Sequence, residues 1–265
     1  MREFFYKYLI LTRRGLGIMF EYRVSMLIWT LSASFPLVML AVWLSIGQGG
    51  PIGGYTPGDF IVYYLLVFYM RQMTSVWVAW ELDYDIRQGA MSSKLLHPIH
   101  PIHEYISNNL ADKVMRFVVF TPIVILVALF VPRVNLVMTP LSLAFFIIAV
   151  IGAWLMRYLL QFTLGLFSFW FSQALVLTDV AWLLILLFGG SVAPLDLLPE
   201  PLRTIAYYLP FQFMVNFPVQ ILLGRLTTSD ILYGLGGMAF WSALFYIAFR
   251  VVWARGIRQF SAFGA

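Results

Sequence analysis

The chain has 265 residues, of which 62% are hydrophobic and 11% are charged. Soluble domains carry about 25% charged residues, so this composition excludes an ordinary soluble enzyme and indicates a membrane protein. The absence of cysteine excludes disulfides, thiolate metal sites and cysteine nucleophiles. The formal net charge of +5 comes from basic residues that stand singly beside apolar runs, which is typical of membrane topology and not of a nucleic-acid partner.

Six stretches are long and apolar enough to cross a bilayer, for which about 20 residues are needed. They predict an all-α, polytopic membrane protein that forms a single transmembrane domain over residues 1–265. The predicted spans are 24–46, 59–80, 114–131, 141–162, 174–193 and 231–252. A Gly/Pro-rich loop follows the first span, and a short joint at 168–173 separates the fourth span from the fifth.

The Lys and Arg residues predict the orientation of these spans. Twelve of the 17 basic residues fall on the side of the N-terminus, three fall on the other side and two lie within spans. Since loops rich in Lys and Arg stay in the cytoplasm, both termini are predicted to be cytoplasmic.

Residues 2–21 precede the first span and are too polar to cross. A helical projection separates an apolar side from a charged side, which predicts an amphipathic helix that lies in the membrane interface among lipid headgroups. A plain basic flank that only sets topology explains the same residues.

The sequence contains no soluble-enzyme signature such as GxxxxGK[ST], GxGxxG after a strand, GxSxG or HExxH. His97, His100 and His103 are spaced by three, but Pro98 and Pro101 interrupt any helix through them. A polar turn therefore explains the histidines better than a metal site, and no metal, cofactor or catalytic residue is predicted.

Charged and polar residues within spans are costly and usually face a protein interior or a water-filled cavity. Arg71 and Gln72 fall in the second span, where they predict a bundle-facing position, a subunit seam or a transport path. An arginine satisfied by helix carbonyls and tyrosines is the structural alternative. Arg157 and Asp179 lie in the inner halves of adjacent spans, and an ion pair between them is predicted.

The polar segment 81–113 is the longest non-apolar stretch. It predicts a helix that extends past Trp80 and stops at Gly89, then a short helix from about Met91 to Leu96 before the chain turns back. Exposed Met91, Leu95 and Leu96 would suit docking to a soluble partner, although an ordinary loop has the same composition.

The segment 194–229 is too apolar for a free loop and too rich in proline to cross once. Two short helices, about Glu200 to Tyr208 and Phe211 to Leu223, are predicted to dip into the outer leaflet as re-entrant helices and to cap the bundle.

This layout resembles the permease subunit of type-2 (ABC-2) ABC exporters. The resemblance rests on the order of elements and on two local patterns. One is the acidic-to-basic helix end followed by Gly89, Leu95-Leu96 and Pro98; the other is Gly190, Pro194-Leu195, Leu198-Pro199, Leu202 and Leu209-Pro210-Phe211. The ending RGIRQFSAFGA and Phe169-Trp170 are most similar to a bacterial subgroup that includes viologen-exporter permeases. This resemblance implies a location in a bacterial inner membrane.

The resemblance implies the partners and the coupling residues. A cytoplasmic ABC ATPase subunit, which would bind ATP and Mg²⁺, would contact the coupling residues Arg87, Gly89, Met91, Leu95, Leu96 and Pro98. Two permeases would pair, and an amphipathic, lipid-like or drug-like substrate would move along their interface. The HPIHPIH run departs from the family pattern, and the intramembrane residues do not support a cationic viologen as substrate.

Two other function classes remain open at this stage. A secondary transporter typically has inverted repeats and midplane acids, neither of which is clear here. A membrane-embedded enzyme would need a convergent set of catalytic side chains, for which the three histidines are poor candidates.

Overall fold

The structure is a computed structural model that describes residues 34–130, 136 and 138–260, together with residues 12, 13 and 17. Within these ranges the chain is all-helical, which confirms the predicted fold class at that level. The α-helices are α1 (Phe35–Ile46), α2 (Pro57–Thr74), α3 (Val78–Arg87), α4 (Ala90–Leu95), α5 (Pro101–Phe130), α6 (Pro140–Leu166), α7 (Leu175–Phe188), α8 (Glu200–Tyr208), α9 (Asn216–Leu222) and α10 (Thr228–Phe260).

Among the described residues, two helical stretches are long and apolar enough to cross a bilayer, Pro140–Phe169 and Thr228–Phe260. The helices Phe35–Gly49 and Leu175–Phe188 are apolar but shorter. The first ten residues of the predicted span 24–46 and nearly all of the predicted interfacial helix 2–21 lie outside the described residues. The count of six spans and the interfacial helix therefore stay predictions.

The second predicted span, 59–80, is not one helix. The chain leaves helical geometry at Ser75, where φ is −59° and ψ is 138°, and resumes as α3. Two hydroxyls compete for backbone carbonyls at this point: Thr74 donates to Met70 O at 2.8 Å and Ser75 donates to Gln72 O at 3.1 Å. Such side-chain bonds offer the backbone an alternative to helix continuation.

The central helix of the described fold is α6, which packs against α2, α3, α9 and α10. Its contact with α3 is close because position 165 is glycine. A Cβ there would lie 2.8 Å from the Ala79 Cα, so any larger residue would push the two helices apart. Helix α6 contributes to two apolar clusters, one with Phe146 and Met156 and the other with Phe162 and Leu166.

The segment between α7 and α10 folds as short pieces. Helix α8 has the bounds predicted for it, whereas the predicted helix 211–223 is divided into a 3-10 turn at Pro210–Met214 and α9. Pro218 explains the division, because a continuous α-helix would place its ring against the carbonyl of Met214 and lose one hydrogen bond. The break falls at Val215, where φ is −140°.

Candidate functional site

Helix α4 is fastened to the two helices beside it. Lys94 Nζ donates to Asp85 Oδ2 of α3 at 2.6 Å and stacks 4.2 Å from the centre of the Tyr105 ring of α5. The Tyr105 hydroxyl donates to the same carboxylate, and burial together with this bond raises the pKa of Tyr105 above its ordinary value. One carboxylate thus joins three helices, so that α3, α4 and the start of α5 form one unit.

The predicted docking residues divide between this unit and its surface. Met91 is fully buried, which corrects the expectation that it is exposed; it packs into the core beneath α4. Leu96 is 86% exposed and Leu95 37% exposed. Gly89, at φ 74°, has the left-handed geometry that glycine adopts without strain, and it makes the turn that sets α4 at an angle to α3.

The other two predicted coupling residues, Arg87 and Pro98, are also exposed. Arg87 Nε donates to Asp83 Oδ1 at 2.7 Å, and the Ser168 hydroxyl donates to the same oxygen, also at 2.7 Å. A groove of about 550 Å³ lies beside them. It is lined by Ile86, Arg87, Gly89, Ser92, Ser168, Phe169, Trp170, Phe171, Ser172 and Phe260.

His97 and His100 lie in the connection between α4 and α5, whereas His103 lies in the first turn of α5. No group of three or more metal-ligating side chains occurs among the described residues. The backbone N–H of Ile102 donates to His100 Nδ1 at 3.2 Å, so this imidazole caps the start of α5, and its ring lies 4.7 Å from that of Trp253. Partial burial, His103 and Arg250 lower the pKa of His100.

A cavity of about 260 Å³ lies where the break after α2 meets α5, α6 and α7. We call it the arginine cavity. It is lined by Arg71, Gln72, Ser75, Val76, Trp77, Trp80, Arg116, Arg157, Gln161 and Trp182. Arg71 and Gln72 thus lie together with Arg157, and Trp80 and Trp182 on the rim are partly exposed.

The cations of the arginine cavity outnumber the carboxylates near them. Arg116 Nε lies 2.8 Å from Asp112 Oδ1, and Lys113 Nζ lies 2.6 Å from the other oxygen of the same carboxylate. Arg71 forms no ion pair with any described residue and lies over the Trp182 ring at 5.9 Å. Arg157 donates to the Thr74 hydroxyl at 3.3 Å. Among the described residues, Asp112 therefore pairs with Arg116 and Lys113. Arg71 and Arg157 have no carboxylate partner there.

Several polar atoms of the cavity wall have no hydrogen-bond partner among the residues that the structure describes. Arg157, only 8% exposed, has a buried Nε without an acceptor, and Gln72 Nε2 and Gln161 Oε1 are also unsatisfied. An arginine at the centre of a bilayer costs about 2.5–3.5 kcal/mol on insertion scales, and buried polar groups are normally paired. If the cavity had only a structural role, it would therefore lower the free energy of unfolding.

The predicted ion pair between Arg157 and Asp179 does not form. Arg157 is buried against α2, while Asp179 is on an exposed face of α7. That face is otherwise apolar and includes Val176, Val180, Leu183 and Leu187, which are all exposed. Sequence spacing placed both residues at a similar depth but did not determine the direction in which each helix face points.

A second polar cluster lies beside the N-terminal end of α2, and we call it the cap network (Tyr55, Asp196, Tyr207 and Gln220). The two tyrosine hydroxyls donate to the two oxygens of Asp196 at 2.9 and 2.6 Å. Gln220 Nε2 donates to the Tyr55 hydroxyl at 2.9 Å. Arg225 stacks on the Tyr55 ring at 3.5 Å from its centre. This network ties the loop before α2 to α8 and α9.

Sequence reasoning missed part of the arginine cavity. Arg116 appeared only as a topological charge, and Asp112, Gln161 and Trp182 were not singled out. The i,i+4 spacing of Asp112 and Arg116 was a usable signal, because it predicts a pair on one helix face. Nothing in the sequence indicated that this pair would meet Gln72, whose side-chain Oε1 accepts a hydrogen bond from Arg116.

A family model described as ABC-2 family transporter protein matches residues 30–264. No curated protein and no solved structure matches the chain. The match covers nearly all of the described helices, and the apolar helices fit the membrane component that such a transporter requires. The chain therefore belongs to the ABC-2 family of transporter proteins.

Proposed function

We propose that this chain is the permease subunit of an ATP-binding cassette exporter and that a separate cytoplasmic ATPase subunit docks on α4. Exposed Leu95 and Leu96, on a helix that Asp85 fastens to α3 and α5, carry this proposal. A docking surface that transmits motion must be apolar enough to bind a partner and firmly attached to the spans. Helix α4 has both properties. It is bonded to α3, and Trp80 of α3 lines the arginine cavity.

The groove beside Arg87 extends the proposed docking surface. Its aromatic wall, with exposed Phe171 and Trp170, suits insertion of an apolar side chain from the ATPase. Nucleotide and Mg²⁺ would be bound by that partner. When nucleotide binding closes the ATPase subunits, the unit formed by α3, α4 and the start of α5 would move as a rigid body. This movement would shift the membrane spans between two arrangements.

Pairing with a second permease is supported by the exposed face of α7. A lone carboxylate such as Asp179 on an apolar face is costly in lipid, so we expect this face to meet a partner chain or a water-filled path. The cysteine-free sequence allows a direct test. Val180→Cys should form a disulfide-linked dimer on oxidation, whereas Val118→Cys on the exposed face of α5 should not.

The ATPase contact is tested by expressing the chain together with its neighbouring genes and measuring how much ATPase copurifies with it. Leu95→Asp with Leu96→Asp should abolish copurification of the ATPase and the substrate-stimulated part of its activity. Leu202→Asp, a similarly exposed leucine on α8, is the matched control and should leave both unchanged. Transport into vesicles that continues without ATP and stops when the proton gradient is removed would contradict the proposal and favour a secondary transporter.

A further inference from the structure

We propose that the arginine cavity binds the anionic group, a phosphate or a carboxylate, of an amphipathic molecule. The inference deepens the proposed function, on which it rests, by assigning a substrate or lipid class to a site within one permease. It starts from charge. Asp112 pairs with Lys113 and Arg116. Arg71 and Arg157 of the cavity wall have no carboxylate partner among the described residues, so a bound anion would supply the missing negative charge.

The hydrogen-bonding groups of the cavity also fit an anion. Arg157 Nε and Gln72 Nε2 are donors that have no partner within the described ranges, and both side chains are more than nine-tenths buried. Oxygen atoms of a phosphate or carboxylate would accept from them, and arginine suits such groups because its donors lie in one plane. The amide of Gln161 adds a third donor when its oxygen and nitrogen are exchanged by a flip.

Size and wall chemistry indicate the rest of the ligand. Cavities that hold a drug-sized molecule measure about 300–1,000 Å³. At about 260 Å³ the arginine cavity is large enough for a headgroup but not for a whole amphiphile. Trp77, Trp80 and Trp182 also line the cavity, and Trp80 and Trp182 are exposed at its rim. An apolar chain would therefore leave the cavity past these two rings.

The experiment measures binding to the full-length permease in zwitterionic nanodiscs, without an ATPase. Three tryptophans line the cavity, so intrinsic fluorescence reports occupancy. Dodecyl phosphate is titrated against dodecylphosphocholine, which has the same chain and no net charge. We expect saturable binding of dodecyl phosphate that is at least tenfold tighter than that of the zwitterion. Binding of both compounds with equal affinity would overturn the proposal.

Variants assign the binding to the arginines. Arg157→Gln and, independently, Arg71→Gln should each weaken dodecyl phosphate binding at least tenfold, and Arg157→Lys should restore part of it. Arg203→Gln on α8 removes one positive charge far from the cavity and should leave the affinity unchanged. If Arg157→Gln does not fold, Arg71→Gln decides, because Arg71 is less buried. Unchanged affinity in a folded cavity variant would overturn the proposal.

Two further titrations distinguish the source of the anion. Saturable binding of inorganic phosphate alone would assign a free ion, and quenching by phosphatidylglycerol with brominated chains but not by brominated phosphatidylcholine would assign a lipid headgroup. Both results depend on Arg157 if the site is correct. Because the ATPase is absent, a failure of the Leu95 and Leu96 variants to uncouple would disprove the docking proposal and leave this binding result intact.

Discussion

The cap network and the arginine cavity both gather polar side chains inside an apolar chain, but they differ in how charge is compensated. In the cap network, each oxygen of Asp196 accepts from a tyrosine, and Arg225 lies near Asp59 at 3.7 Å as well as on the Tyr55 ring. In the arginine cavity, Arg71 and Arg157 have no carboxylate partner among the described residues.

This difference indicates different roles. In the cap network the carboxylate is satisfied, although Gln220 Oε1 has no partner among the described residues. A network whose charges are compensated holds segments together and needs no ligand. An unsatisfied cluster of one charge sign costs stability unless something binds there, which is a trade often found at functional sites. Substitutions in the two clusters should therefore have different effects on the free energy of unfolding.

The largest effect is expected for Asp112→Asn in the arginine cavity. Removing one partner of a buried ion pair costs about 3–5 kcal/mol, and here two cations lose the same carboxylate. Unfolding in mixed micelles should show this loss. A change of less than about 1 kcal/mol would mean that water already screens the cavity.

Asp196→Asn in the cap network should cost less. The asparagine keeps one carbonyl oxygen for a tyrosine but presents an NH₂ to the other, so about 1–2 kcal/mol should be lost. The same unfolding assay measures it. A loss as large as that of Asp112→Asn would contradict the distinction between the two clusters.

Arg157→Gln should raise the stability of the ligand-free permease by about 1 kcal/mol, because it removes a buried charge without a carboxylate partner. Arg225→Gln near the cap network is the control, and it should lower stability because it breaks a stacking contact and a bond to Gly54 O. Loss of stability in Arg157→Gln would show that the Thr74 bond matters more than the unpaired charge.

The smallest effect concerns pH at the α4 end. Since the folded chain lowers the pKa of His100, folding favours the neutral imidazole. Its contribution is complete above the ordinary value of 6.5 and is lost as pH falls through that value towards the folded pKa. From about pH 8 to about pH 5, the wild-type melting temperature should fall slightly more than that of His100→Asn, which keeps a helix cap but does not titrate. Parallel curves would contradict this cause.

Local features were predictable from the sequence, and long-range ones were not. The helix over Glu200–Tyr208 follows from its flanking prolines, and the turn at Gly89 follows from glycine between two helical patterns. The helical class follows from composition. Each of these depends on residues that are close in the chain.

The wrong predictions concerned the direction in which a helix face points, which the sequence alone does not determine. Met91 and Leu95 both looked like exposed apolar residues, but only the packing of α4 against α3 and α5 decides which is buried. Arg157 and Asp179 were expected to pair because of their depth, yet their helices turn them to opposite surroundings. The subgroup of viologen exporters, which the ending of the chain suggested, stays a prediction.

The interruption at Ser75 has one more consequence. Ser75 accepts from Lys113 at 2.8 Å and donates to Gln72 O, so the carbonyl exposed by the missing helical turn already has a partner. Bending there would break no backbone hydrogen bond between α2 and α3. We therefore expect the chain to bend at Ser75 at little cost in free energy. A displacement of α4 would then change the width of the arginine cavity, which Val76 and Trp77 help to line.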